Sequence, residues 1–199
     1  MISKVHPGLI ALTFIGLGTL SSAQELGNRA VEVALGECSP VRTDTILEGS
    51  GSAAKIRRAC SDSTLQIIQL RTNGAIESIS RWNTDEALNG TQVRLDESGR
   101  AEWISVYHDG FGLSAEFYPN GNVRESYCSE DGRYTEFRVV FCDAGEIYVF
   151  IRIIRDREQV TGYYCSGGLR ETGTRVNGEK VGTWKYFDTD GTILREENY

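Results

Sequence analysis

From residue 64 onward the apolar side chains come in short alternating runs separated by polar clusters that contain glycine, a period-two pattern that predicts β-strands joined by tight turns. Trp103, Ser105 and Tyr107 would face one way and Ile104 and Val106 the other, and residues 133–155 are the richest in Tyr, Phe, Val and Ile, which suit a pleated surface. A longer regularity lies over this alternation. An apolar or aromatic residue, three mostly polar positions, a glycine, one free position and an apolar residue recur at Leu70–Ile76, Leu95–Ala101, Phe117–Val123, Phe141–Ile147, Tyr163–Leu169 and Phe187–Ile193. The central glycines, Gly74, Gly99, Gly121, Gly145, Gly167 and Gly191, are 25, 22, 24, 22 and 24 residues apart. Near-constant spacing of this kind marks an array of like supersecondary units.

The flanks repeat as well: Val123-Arg124-Glu125, Leu169-Arg170-Glu171 and Leu194-Arg195-Glu196 each follow a glycine turn with an apolar, a basic and an acidic residue. Asn120-Gly121, Asp131-Gly132, Asn177-Gly178 and Asp190-Gly191 are dipeptides favoured in type I′ hairpin turns, where both central residues need positive φ. Each period therefore divides into two short strands. The expected fold is all-β, an elongated antiparallel β-hairpin array of about five to six repeats over residues 64–199. Residues 24–63 do not fit the repeat and are expected to form an N-terminal cap over the open sheet edge. Within it Gly49-Ser50-Gly51-Ser52 reads as a loop, and Ala53–Cys60, behind Ser52 as a capping side chain, as a short helix.

The start of the chain changes the setting. Lys4, the apolar run Leu9–Leu20 and the small residues Ser21-Ser22-Ala23 read as an export leader over residues 1–23, too short in its apolar part to span a bilayer. Its removal takes one charged residue, Lys4, and turns the net charge of −7 into −8. That acidity argues against nucleic acid or anionic lipid as the main partner. The expected location is periplasmic or secreted, without stable membrane insertion, and there disulfides persist. Of five cysteines, Cys38 and Cys60 are expected to pair. Two of Cys128, Cys142 and Cys165 would form a second bridge, and the leftover thiol would be buried or would link two chains of an otherwise monomeric protein.

The last repeat, from Gly173 through Asn177-Gly178, Gly182-Thr183-Trp184 and Phe187 to Asp190-Gly191, resembles the bacterial variant of the MORN repeat found in YwqK-family antitoxin-like proteins. The match is good over about 27 residues, Gly173–Tyr199, and degenerate before it, where the Gly-x-Trp element is missing. The resemblance implies a curved ribbon of hairpins that serves as a binding or spacing scaffold, with structural roles for the motif residues and no catalytic ones. Trp184 and Phe187 are expected to pack between hairpins, and Gly121, Gly145, Gly167, Gly178, Gly182 and Gly191 to serve turns or close backbone approach.

Candidate chemistry is sparse. Losing His6 with the leader leaves His108 alone, which excludes triads and multi-histidine metal sites; His108 reads as a turn residue beside Asp109. Gly49–Ala54 matches a dinucleotide fingerprint without its βαβ setting, Asp188-Thr189-Asp190-Gly191 resembles the start of a calcium loop without its later ligands, and Asn89-Gly90-Thr91 is a formal glycosylation sequon. No cofactor, metal or catalytic residue is expected. Three functions of different classes follow: a scaffold binding a protein or glycan in the bacterial envelope, an antitoxin-type antagonist steered by its acidity, and a hydrolase using carboxylate pairs such as Asp96-Glu97, Glu130-Asp131 or Glu196-Glu197.

Overall fold

A computed structural model of the chain describes residues 23–48, 53–130 and 133–199. Among these residues one helix, α1 (Ala23–Gly36), precedes fourteen strands: β1 (Pro40–Glu48), β2 (Ala53–Cys60), β3 (Leu65–Leu70), β4 (Ile76–Trp82), β5 (Gly90–Leu95), β6 (Ala101–His108), β7 (Phe111–Phe117), β8 (Val123–Glu130), β9 (Arg133–Phe141), β10 (Ile147–Ile154), β11 (Arg157–Tyr163), β12 (Leu169–Val176), β13 (Glu179–Phe187) and β14 (Ile193–Asn198). They form a single sheet in which every strand pairs only with its sequence neighbours, all antiparallel. The expected elongated hairpin array is the fold of this chain.

The glycine signature is the turn on one side of that ladder. In each copy the residue after the first apolar position donates its amide across the loop and accepts from the glycine amide, as in Tyr118 N to Asn122 O and Gly121 N to Tyr118 O, both at 2.8 Å. The glycine alone has positive φ, 91° at Gly121, and a one-residue bulge follows, so that Phe117 opposes Val123 while Glu116 opposes Glu125. Asn120-Gly121 and Asp190-Gly191 are thus three-residue turns, not the type I′ turns expected of them. Type I′ geometry occurs at the opposite side of the ladder, at Asn177-Gly178 (φ 52° and 83°) and at Asp109-Gly110 (φ 48° and 83°). Asp131-Gly132 lies outside the described residues.

Successive signature turns are tied together. Arg71 Nη2 donates to Leu95 O at 2.5 Å, Arg100 Nη1 to Pro119 O at 3.0 Å, Tyr118 OH to Phe141 O and Tyr164 OH to Phe187 O at 2.8 Å each. The remaining junction is covalent, Cys142–Cys165. Position by position, Cys142 stands where Arg71, Tyr118 and Tyr164 stand in their own turns, so the disulfide replaces a hydrogen bond in the series.

Residues 24–63 contain the expected short helix, but not at Ala53–Cys60. Ala53–Cys60 is a strand, paired on both sides, and β1 is the open edge. The segment extends the sheet instead of capping its edge, because ladder pairing outweighs the helix propensity of Ala, Lys and Arg. The helix lies earlier and on a face. Leu26, Ala30 and Ala34, one stripe of α1, pack on Ile68, Ile79, Val93 and Ile104, which are cross-strand neighbours in one row. At Gly27 a side chain would strike Gly99 O at 2.7 Å, so glycine permits the close seating of α1 on the turn at 96–100. The helix end is pinned by Cys38–Cys60 and by Glu37, whose carboxylate accepts from Thr91 N (2.6 Å) and Thr91 Oγ1 (2.5 Å) and faces Arg81. The loop assigned to 49–52 and the leader, but for Ala23, lie outside the described residues.

The core changes face along the array. In the N-terminal half it lies under α1; in the C-terminal half Ile151, Val160 and Trp184 form a second cluster on the other face. Trp184 is fully buried, its ring against Gly173 and its Nε1 donating to Thr174 O at 3.0 Å. The same device, an aromatic ring over a glycine on the neighbouring strand, recurs at Tyr107 and Gly112.

Candidate ligand-binding cleft

On the face opposite α1, β4 to β8 line an open cleft of about 440 Å³. Its walls are the half-buried rings of Trp82, Trp103 and Tyr127 with Leu88, and its polar lining is Ser78, Ser80, Gln92, Arg94 and Glu116. Strand alternation puts these side chains on one face: Trp103 opposes Arg94 on one side and Glu116 on the other. The rings are oriented by hydrogen bonds, Trp82 Nε1 to Ser80 Oγ at 3.1 Å and Trp103 Nε1 to Tyr127 OH at 3.3 Å.

The floor is polar and fully buried. Gln92 closes the gap where the β4–β5 ladder is short, accepting from Arg81 N (2.9 Å) and donating to Arg81 O and Gly90 O (3.2 Å each). Ser105 lies between Gln92 and Ser114, and its hydroxyl has no hydrogen-bond partner. Burial pushes the Tyr127 phenol above its ordinary range, so it remains a neutral hydroxyl. The charged groups are internally paired: Arg94 with Glu102 at 2.9 Å, Arg124 with Glu116, and Arg138 with Glu125 at 2.5 Å. The hydrogen bond that Arg124 donates to Glu116 raises its pKa, and the one that Arg138 donates to Glu125 does the same there.

The residues singled out from sequence lie elsewhere. Gly121, Gly145, Gly167 and Gly191 are in the signature turns, Asn177 and Gly178 form a hairpin tip, and Gly182 has φ 65° beside Trp184. Phe187 is half-buried on the face opposite Trp184, paired with Ile193. His108 is exposed beside Asp109. Asp190 accepts from Thr192 N within its own turn, and Thr91 of the sequon lies buried under Glu37. Cys128 is the free cysteine and is buried in β8, its thiol pushed up to about 12 by desolvation and by Glu136; it offers no exposed sulfur for a bond between chains. Among the described residues no group of His, Cys, Asp and Glu is placed to hold a metal ion, and no helix is long and apolar enough to cross a membrane.

The carboxylate pairs do not converge. Glu196 and Glu197 point to opposite faces, Asp96 is tied to Arg100 in its turn, and Asp131 is outside the described residues. Glu116 and Glu125 do share a face, although they are nine positions apart and meet only across β7–β8, which adjacency in sequence does not reveal. The cleft was equally hidden. Trp82 and Trp103 belong to different repeats, and alternation alone does not tell which face is covered.

No protein-family model matches this chain, and no curated protein matches it.

Proposed function

We propose that the chain is a non-catalytic binding module of the bacterial envelope or its surroundings, and that it engages its partner through the aromatic cleft on β4–β8. One observation carries this reading: three half-buried rings stand over a buried polar floor on a face that no helix among the described residues covers. Rings left part-exposed and fixed by hydrogen bonds suit recognition, since little rotamer freedom is lost when they are covered. Two disulfides and the leader-like start favour an oxidising compartment. The MORN-like last repeat favours a scaffold role. A hydrolase has less behind it, because Glu116 and Glu125 are each engaged by an arginine.

The test compares residues 24–199 with Trp82→Ala and Trp103→Ala variants as immobilised bait for envelope extracts of the source cell. A species retained by the parent and lost with both variants supports the cleft. Equal retention by all three moves the contact surface elsewhere.

A further inference from the structure

Resting on that reading, we infer that the cleft takes an uncharged saccharide, with one pyranose ring lying against the Trp103 indole and its hydroxyls on the polar lining. Two properties of the site select this class.

The first is shape and polarity together. A pyranose presents a flat face of C–H groups and a rim of hydroxyls, and the cleft presents ring faces beside hydroxyl and amide groups. A purely apolar ligand would cover Ser78, Ser80 and Tyr127 without giving them partners. The second is charge. Both charged side chains of the lining already hold opposite charges from the same sheet, Arg94 with Glu102 and Glu116 with Arg124. No surplus cation remains for phosphate, sulfate or a uronic acid, and no surplus anion for an amine. A peptide joining by strand addition would use the open edges β1 or β14, not this face.

The experiment uses the oxidised chain, residues 24–199, on an array of neutral and anionic glycans, followed by fluorescence titration with the neutral oligosaccharides that bind. Trp184 is fully buried, so a saturable fluorescence change reports Trp82 and Trp103. The expected result is binding confined to neutral glycans, insensitive to salt, at least about tenfold weaker in Trp103→Ala and within about threefold of the parent in Trp103→Phe. If Trp103→Ala melts early, Trp82→Phe and Tyr127→Phe supply the same comparison in folded protein. Binding only to anionic glycans, strong salt dependence, or undiminished affinity in Trp103→Ala overturns the assignment. Should no glycan bind while envelope species are still captured by the parent and lost with Trp103→Ala, the saccharide class fails and the binding reading stands. Loss of both signals ends both.

Discussion

Replacing Gly173 with alanine tests how the C-terminal half holds together. A Cβ at this position would fall inside the van der Waals surface of the Trp184 ring, which is 0% exposed and has no room to retreat. Retreat would also break the 3.0 Å bond from Trp184 Nε1 to Thr174 O and uncover Ile151 and Val160. Overpacking alone costs about 1–3 kcal/mol, and partial ejection of a core tryptophan approaches about 3–5. The better strand propensity of alanine returns about 0.5–1. The net loss expected is about 2–4 kcal/mol. In urea, with a slope of about 2 kcal/mol per molar, this moves the unfolding midpoint down by about 1–2 M. Trp184 fluorescence and far-ultraviolet circular dichroism would follow the transition. Trp184→Leu in the Gly173→Ala background should recover part of the loss, because the two sites couple through one contact. A Gly173→Ala midpoint within about 0.3 M of the parent would refute the ring-on-glycine account.

Other consequences follow from the same geometry. Cys142→Ser with Cys165→Ser should cost about 3 kcal/mol from the 23-residue separation, read as a lower urea midpoint than the oxidised parent's, and a reductant, which also opens Cys38–Cys60, should lower the variant's midpoint further. Glu37→Gln keeps the shape but removes the charge facing Arg81 and Thr91. It should cost about 2 kcal/mol and raise amide exchange in α1 more than in β10–β13. Cys128 should react with a thiol reagent at about pH 8 only at the rate of unfolding. A prompt, stoichiometric reaction of the native protein would contradict its burial. Asp62 is held below its ordinary range, chiefly by the Thr64 hydroxyl, with Arg81 assisting. Its contribution is therefore present above the normal carboxylate range and lost as pH falls through its lowered value. The stability gap between parent and Asp62→Asn should shrink in acid, measured by urea midpoints from about pH 6 to about pH 3.

The signature glycines were legible because a turn that needs one residue at positive φ admits few alternatives, and six turns at near-equal spacing expose the period. The Cys38–Cys60 pairing was legible for a similar reason, being local to one segment. The helix was not. Its buried stripe is Leu26, Ala30 and Ala34, two of them too small to register as an apolar face, whereas Ala53–Cys60 carries good helix formers that the ladder nonetheless draws into β2. The triplet after the turns also misled in part. Arg124 and Arg170 occupy the bulge, but in the last copy Leu194 takes that place and Arg195 stands where Glu125 and Glu171 stand. A bulge shifts facing by one position, and nothing local announces it.

The neighbour-only pairing of the strands has a mechanical meaning. Strands β1 and β14 lie at opposite ends of the ladder, so tension applied between them acts across the strands and opens hydrogen bonds in sequence, a few at a time, instead of shearing a whole strand at once. The Cys142–Cys165 bond interrupts that unzipping. It carries the load past residues 143–164, leaving the β10–β11 hairpin slack and folded while its neighbours yield. Under traction the protein would lengthen in steps and keep a stapled segment near the middle of its second half.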